Sequence, residues 1–493
     1  MCGIAGIIGD NDTPLVSKML AALRHRGPDD MGIYADDGLT MGQTRLSIID
    51  VAGGHQPIKG DMGNSFIVAN GEIYNYRALA AGLSGHRFST RTDSEVALHL
   101  YEDFGEQMPM MLDGMFAIAV CKDGQTLLAR DPLGIKPLYY SEKDGNFYFA
   151  SEIKALLLAT DDVNMFPPGT MYVRGKGFRR FWTLPKSPSR EDVSPETCAS
   201  TIRVLLRQAV EKRLMADVPL GTLLSGGLDS TVVTALAQRS TEKLHTFVTG
   251  MEGSSDIEYS LQAAEYLGTE HHEAVFTADD VIRHLPRVIQ HLESCDAALV
   301  RSALPTYFVS QLARRYVKVV LMGEGADELF AGYQYLKEIP TQALHSELVR
   351  ITWELCYLNL QRADRMTMAH SLEGRVPFLD ARLVRYALSL PSFLKLHGDE
   401  KTEKWILRKA FKDSIPDTIL NRPKMKFAEG AGLTTVLNRI AEKEITDKEF
   451  EREAEKNKNV ALRTKEELYI FRLFREFFPQ DSVLKVIGRT QVY

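Results

Sequence analysis

A cysteine stands at the second position of the chain. Removal of Met1 would leave Cys2 with a free α-amine beside its own thiol. An amine that titrates near ~8 can serve as general base for the sulfur. Taken alone, Cys2 reads equally well as a small buried apolar residue. Farther on, Leu223-Leu224-Ser225-Gly226-Gly227-Leu228-Asp229-Ser230 joins an apolar run to a helical pattern. Gly226 and Gly227 permit close backbone approach, and a helix start offers unpaired N–H groups to an anion. No Gly-Lys-[Ser/Thr] follows, so this is not a Walker A loop; a turn capped by Ser230 is the plainer reading. Gly323-Glu324-Gly325-Ala326-Asp327-Glu328 then sets three carboxylates within five residues, directly after the run Lys318–Met322. Such a cluster is costly unless a cation or hydrogen bonds balance it, and open α/β sheets bind ligands at that end of a strand. Ala363–Met366 and Ser371–Asp380 (SLEGRVPFLD) add a second polar cluster.

These groups need elements to hold them. Met1–Gly9, Ser65–Ala69, Met115–Val120, Thr126–Ala129 and Phe147–Ala150 are short apolar runs bounded by Gly, Asp or Asn, which is the strand signal. Thr13–Leu23 and Asp93–Glu102 carry helical spacing; Val96, Leu98, His99 and Tyr101 roughly mark one face of the second. An α+β domain of stacked antiparallel sheets is expected over 2–182. Thr183–Thr197 is rich in Pro, Ser and charge and reads as a linker. Over 198–493 the pattern changes. Gly221–Leu224, Leu244–Thr249 and Lys318–Met322 read as strands alternating with helices at Thr231–Arg239 and Ser260–Leu267, which predicts a doubly wound parallel sheet. Beyond Leu336 the chain reads as mostly helical, and charge-rich Ala441–Asn459 as a solvated helix or a mobile segment.

Composition narrows the function classes. The chain has 493 residues, 44% hydrophobic and 25% charged, which fits a globular protein of several domains and excludes disordered, collagen-like and coiled-coil chains. Its formal net charge of −6 gives no hint of nucleic-acid binding. No apolar stretch approaches the ~18 residues of a membrane helix. The five cysteines are scattered and form no CxxC pair, so neither a disulfide framework nor a structural zinc site is expected. Free thiols suit a reducing cytoplasm, and MCGIAGIIGD does not read as a signal peptide. His271-His272 read as structural, since adjacent residues point different ways.

CGIAGIIG, HRGPDDMG (His25–Gly32), TRLSIID (Thr44–Asp50), NGEIYN (Asn70–Asn75), TDSEV (Thr92–Val96), GMFAIAV (Gly114–Val120) and RDPLGIKPLYY (Arg130–Tyr140) resemble, in order and spacing, the class II glutamine amidotransferases. That family has the N-terminal-nucleophile hydrolase fold. The resemblance implies that Cys2 attacks the glutamine side-chain amide, that Asn70 and Gly71 form the oxyanion hole, that Arg45 pairs with the α-carboxylate, and that Glu72 and Asp93 serve the α-ammonium end. Each residue also has a plainer reading. Asn70-Gly71 is a hairpin signal, Arg45 a surface arginine, Asp93 a helix cap, and Gly27-Pro28-Asp29 turn chemistry.

SGGLDS is similar to the pyrophosphate loop of the ATP pyrophosphatases, which adenylate carboxylates. The likeness implies that Ser225, Gly226, Gly227, Asp229 and Ser230 grip pyrophosphate, that Asp229 also meets magnesium, and that Leu223, Thr249, Met322 and Gly323 lie on the adenine side through their backbone. Thr249 and Met322 depart from the residues usual there. With GEGADE, SLEGRVPFLD, LGTEHHE (Leu267–Glu273), Arg301, KTEKWILR (Lys401–Arg408) and RPKMKFAEGAG (Arg422–Gly432), nearly all of the chain resembles the glutamine-hydrolysing asparagine synthetases. By that resemblance Glu324 is the catalytic carboxylate, Asp327 lies near magnesium, and Lys424 stabilises the pentavalent phosphorus. Glutamine, aspartate and ATP are the implied substrates and Mg2+ the metal; a homodimer is left open as the assembly. An amidotransferase with another carboxylate acceptor, or a non-catalytic relative, is the rival reading.

Overall fold

Small and branched residues alternate in Gly3–Ile8, and the strand they form is buried at every position. It pairs antiparallel with Leu39–Arg45 on one side and Asn146–Ala150 on the other. The computed structural model describes residues 2–185, 194–423, 430–433 and 435–490. Its first sheet runs Asn164–Met165, Tyr139–Lys143, Asn146–Ala150, Gly3–Ile8, Leu39–Arg45, Asp30–Asp36. A second sheet runs Gly177–Arg180, Thr170–Val173, Gln125–Arg130, Gly114–Lys122, Ser65–Ile73, Ile58–Lys59. Side chains alternate across each strand, so one face of each sheet meets the other through Ile4, Met41, Val68, Ala117, Leu128, Phe147 and Phe149. The opposite faces carry the helices: Thr13–Ala22 packs on the first sheet and Asp93–Phe104 on the second. The expected α+β stack is thus the observed one.

The third sheet runs Glu270–Val275, His245–Gly250, Leu220–Leu223, Val319–Leu321, Glu373–Arg375, and every pairing is parallel. Leu228–Gln238 covers one face and Ala297–Ala313 the other, the doubly wound arrangement. Glu373–Arg375 is a strand within the region read as helical. Its charges hid it: Glu373 and Arg375 are fully buried and paired with each other at 2.6 Å, so no apolar run marks the segment. Pro195–Thr197 also departs from expectation. These residues begin the helix Pro195–Lys212, where the Ser194 hydroxyl accepts the Thr197 N–H and Pro195 occupies a first-turn position that needs no N–H. The 186–193 part of the linker lies outside the described residues. Within the charge-rich stretch, Asp447–Lys456 is a helix with no buried residue.

Two apolar clusters run across the boundary between the halves. Leu46, Ile48, Met115, Leu133 and Ile135 share one with Leu206, Leu224, Leu228 and Leu379. Leu156, Val163 and Met165 share the other with Leu285, Leu292, Leu304 and Phe474.

Candidate functional site

Asn70-Gly71 does not turn the chain. Both residues lie inside Ser65–Ile73, opposite Ala117 and Phe116. The N–H and C=O of Phe116 are both taken by Asp131, on the far side of its strand. Gly71 and Phe116 therefore form a non-hydrogen-bonded pair, and the Gly71 N–H faces the open edge. Its neighbours of the same parity agree: Ala69 N–H donates to Gln56 Oε1 at 2.8 Å and Ile73 N–H to Asp93 Oδ2 at 2.6 Å. Asn70, fully buried, accepts the Cys2 backbone N–H on Oδ1 at 3.1 Å. Its Nδ2 is buried without a hydrogen-bond partner among the described residues. A buried amide donor left unmade is costly, and here it belongs to the side chain that holds the Cys2 backbone. Burial pushes the Cys2 thiol above its ordinary pKa, so the sulfur needs a base.

The other expected glutamine-site residues fall close by. Arg45 is buried and donates to the carbonyls of Ile49, Asp50 and Val51 at 2.7 to 3.3 Å, which fixes the loop around its guanidinium. Asp93 caps nothing: Thr92 occupies the N-cap position, and the Asp93 carboxyl, lifted by burial to about 6, reaches into the sheet. The Glu72 side chain reaches the boundary between the halves. It lies 3.4 Å from Arg375 of the other half, and burial together with the Glu373 charge raises its pKa well above the ordinary range.

Arg26, to which the sequence reading gave no role within HRGPDDMG, is fully buried and donates to the Cys2 carbonyl at 2.9 Å. It also pairs with Glu152 at 2.7 Å and with Asp364 at 2.8 Å. Burial alone would raise the Asp364 pKa; Arg26 and Lys136 hold it below its ordinary value. Asp364 belongs to the helix Asn359–Met368. The same helix brings Arg362 onto Glu324 and Asn359 onto Glu328 at 3.2 Å. One helix therefore touches both candidate sites. Nothing local in the sequence signals these pairs, because their members stand far apart along the chain.

At the second site, Gly226 takes φ +65°, and a Cβ there would lie 2.4 Å from the Tyr259 carbonyl carbon. The Ser230 hydroxyl accepts the Ser225 N–H at 3.2 Å and bonds Gly227 O, which folds the loop over the start of Leu228–Gln238. Arg422 braces it, donating to Ser225 O at 3.0 Å and to Asp256 at 2.8 Å while stacked 4.1 Å from the Tyr259 ring. Leu223 is half-buried; the Thr249 hydroxyl is committed to Pro305 O at 3.2 Å, and Met322 is buried with its N–H on Arg375 O. Neither of those two side chains is offered to a base, in line with backbone contacts there. Gly323 packs directly on Asp229 and Ser230, so the two loops form one surface.

Lys404 is the main residue there to which the sequence reading gave no role. Its buried ammonium lies 2.5 Å from Asp229 and 2.6 Å from Asp327. Gly332 makes this possible, since a Cβ at that position would fall 2.0 Å from Asp327 Oδ1 and 2.2 Å from Lys404 Cε. The two carboxylates thus converge on one cationic point, and Asp229 Oδ1 is buried without a hydrogen-bond partner among the described residues. Oxygen donors so placed fit a hard divalent cation. Glu328 is not part of that set. Burial and the Asp327 charge raise it to about 7, and Tyr333 and Asn359 donate to it. Lys424 lies outside the described residues.

Residues 1–167 match the family model described as a glutamine amidotransferase domain, and residues 201–352 and 340–481 the one described as asparagine synthase. Asparagine synthetase 3 (glutamine-hydrolysing) of Arabidopsis thaliana is 38% identical over 512 residues, 98% of this chain and 88% of the relative. That of Triphysaria versicolor is 38% identical over 98% of this chain and 87% of its own. Among solved structures, the glutamine phosphoribosylpyrophosphate amidotransferase of B. subtilis superposes with a TM-score of 0.33 at 20% identity, over 55% of this chain and 65% of that one.

Proposed function

The chain belongs to the glutamine-hydrolysing asparagine synthetases, and from that premise we propose how its residues divide the work of making asparagine with glutamine as nitrogen donor. The observation that carries the proposal is the Asn70 side chain, with Oδ1 on the Cys2 N–H and Nδ2 buried and unspent among the described residues.

Once Met1 is gone, the Cys2 amine takes the proton of its own thiol, and the sulfur attacks the glutamine amide carbon. The tetrahedral oxyanion accepts hydrogen bonds from Asn70 Nδ2 and Gly71 N–H. Collapse releases ammonia, and water then frees glutamate from the sulfur. Arg45 orients the substrate α-carboxylate. Asp93 and the Glu72 backbone receive the α-ammonium. Arg26 is a positioning residue that holds the Cys2 carbonyl while tying it to Asp364.

In the other half the aspartate β-carboxylate attacks the α-phosphorus of ATP. Pyrophosphate leaves into the loop of Ser225, Gly226, Gly227, Asp229 and Ser230, with the adenine beside the backbone of Leu223, Thr249, Met322 and Gly323. Lys404 offsets the charge of Asp229 and Asp327. A magnesium ion held by those two carboxylates would neutralise charge on the departing pyrophosphate. Glu324, oriented by Arg362, takes a proton from ammonia as it displaces AMP. Lys424 is assigned to the phosphorus by resemblance.

The same reading takes 2–182 as the glutaminase, 183–197 as the linker and 198–493 as the synthetase. It takes the compartment as a reducing cytoplasm, which suits five buried free thiols. The test is incubation with ATP, Mg2+, glutamine and either aspartate or other small carboxylic acids, followed by identification of the amide formed. Asparagine with stoichiometric AMP and pyrophosphate is expected; amidation of another acid in preference to aspartate would refute the acceptor.

A further inference from the structure

Far along the glutaminase half, four side chains from three segments converge. Asp61 comes from the loop before Ser65–Ile73, His86 from the loop before Asp93–Phe104, and His99 and Glu102 from one face of that helix. His86 Nδ1 lies 2.7 Å from Asp61 Oδ1 and 3.4 Å from Glu102 Oε2. His99 Nδ1 lies 3.4 Å from the same Asp61 oxygen and 2.6 Å from the same Glu102 oxygen. The two rings face each other with centroids 4.3 Å apart. All four ligand atoms lie within 4.8 Å of one another.

Each residue is set up to offer one atom inward. Asp61 spends its other oxygen on the Arg87 N–H at 2.6 Å, and Glu102 its other oxygen on the Met62 N–H at 3.1 Å and on the Ser65 hydroxyl. Further carboxylates stand near the outer nitrogens of both rings without a formed hydrogen bond among the described residues: His86 Nε2 lies 3.1 Å from Asp103 and His99 Nε2 3.5 Å from Glu95. When the inner nitrogens give up their protons to bind an ion, these carboxylates are in place to accept the outer N–H groups. Internal hydrogen bonding alone needs each imidazole to meet one acceptor. Here both Nδ1 atoms face both carboxylates.

We propose that Asp61, His86, His99 and Glu102 form a four-coordinate site for a zinc-class divalent ion. Tetrahedral arms of ~2.0–2.1 Å put ligand atoms about 3.3 Å apart; the two cross pairs already stand at 3.4 Å, and the hydrogen-bonded pairs at 2.6 and 2.7 Å would open by ~0.6 Å to admit the ion. Two neutral imidazoles and two carboxylates balance a +2 charge. Magnesium and calcium, which take six or more oxygens, are poorly served by such a set. The side chains of His86, His99 and Glu102 are almost fully buried and that of Asp61 is 27% exposed, so the ion enters past Asp61. The cysteine pattern carries no trace of this site, since no thiol takes part.

The test uses full-length protein stripped by chelator and titrated with Zn2+ by calorimetry and with Co2+ by visible absorption. The expected result is one ion per chain, a tetrahedral-type cobalt spectrum without thiolate charge-transfer bands, and a melting temperature ~5 °C higher with saturating Zn2+. Asp61→Asn should weaken binding by ~100-fold or more. Asp103→Asn, which acts only through His86, should weaken it by ~10–100-fold. Circular dichroism checks that both variants fold. Absence of saturable binding, or undiminished binding in Asp61→Asn, as an ion held at Asp229 and Asp327 or on a cysteine would give, overturns the proposal.

Discussion

Around Cys2 the polar groups nearest the nucleophile are left with capacity unspent, whereas around Glu324 the acids are already paired. Asn70 Nδ2 has no partner among the described residues, and Gly71 N–H faces an open edge. Across the molecule, Glu324 is held by Arg362, and Asp229 and Asp327 share Lys404. An oxyanion hole, the role proposed for these two groups, works by being fixed before charge develops, so idle donors are its working state. A site for a polyanionic nucleotide cannot hold bare carboxylates at rest. It keeps them neutralised by internal cations, which must be shared out again when substrate arrives. The contrast teaches that preorganisation takes two forms in one chain, unpaired donors in one half and exchangeable ion pairs in the other.

The sharpest way to break this contrast is Cys2→Ala. Glutamine hydrolysis should fall ~10⁴-fold or more, in the range for loss of a nucleophile, while asparagine formation from ammonium chloride persists. Pyrophosphate release with each nitrogen source measures both, and loss of the ammonium route in a folded variant would mean the halves do not work apart. Asn70→Ala comes next. Removing one oxyanion donor should lower glutaminase kcat by ~10²–10³-fold with a modest change in KM, read from glutamate production. Glu324→Gln should cut ammonium-dependent synthesis ~100-fold yet leave glutamate production nearly intact; near-normal asparagine output would move the role to Asp327 or Glu328. The smallest effect is in pH. Burial lifts Asp93 to about 6, so its carboxylate is lost as pH falls through that value. Glutaminase kcat/KM should then fall below pH 6 by about a further tenfold per unit beyond the decline that the Cys2 amine sets below ~8, and Asp93→Asn should remove that added slope at a lower overall rate. Aspartate-dependent exchange between ATP and pyrophosphate should lack this limb.

Much of the glutaminase frame was legible because its strands are apolar runs closed by turn residues, and because Cys2, Arg45, Asn70 and Asp93 sit in contiguous signatures. Asn70-Gly71 shows the limit of local reading. The dipeptide is a hairpin signal, yet nine residues pair straight through it in Ser65–Ile73, and it takes the Phe116–Asp131 bonds and those of Ala69 and Ile73 to reveal which way Gly71 faces. Arg26, Arg362 and Lys404 escaped for a different reason. Their roles are set by ion pairs such as Arg26–Asp364, whose members no sequence window joins. Glu373–Arg375 escaped because its strand is held by charge rather than by apolar periodicity.

The clusters that join Leu133 and Ile135 to Leu224 and Leu379, and Met165 to Leu292 and Phe474, bear on any attempt to take the enzyme apart. A fragment ending near residue 182 would present to water the faces these side chains cover, and with them Arg26 stripped of Asp364 and Glu72 stripped of Arg375. Such a piece would be sticky and carry buried charge turned loose, even with every glutaminase residue in place. Grafting this glutaminase onto a different ligase would therefore require the recipient to supply the lost apolar surface and the counter-charges together.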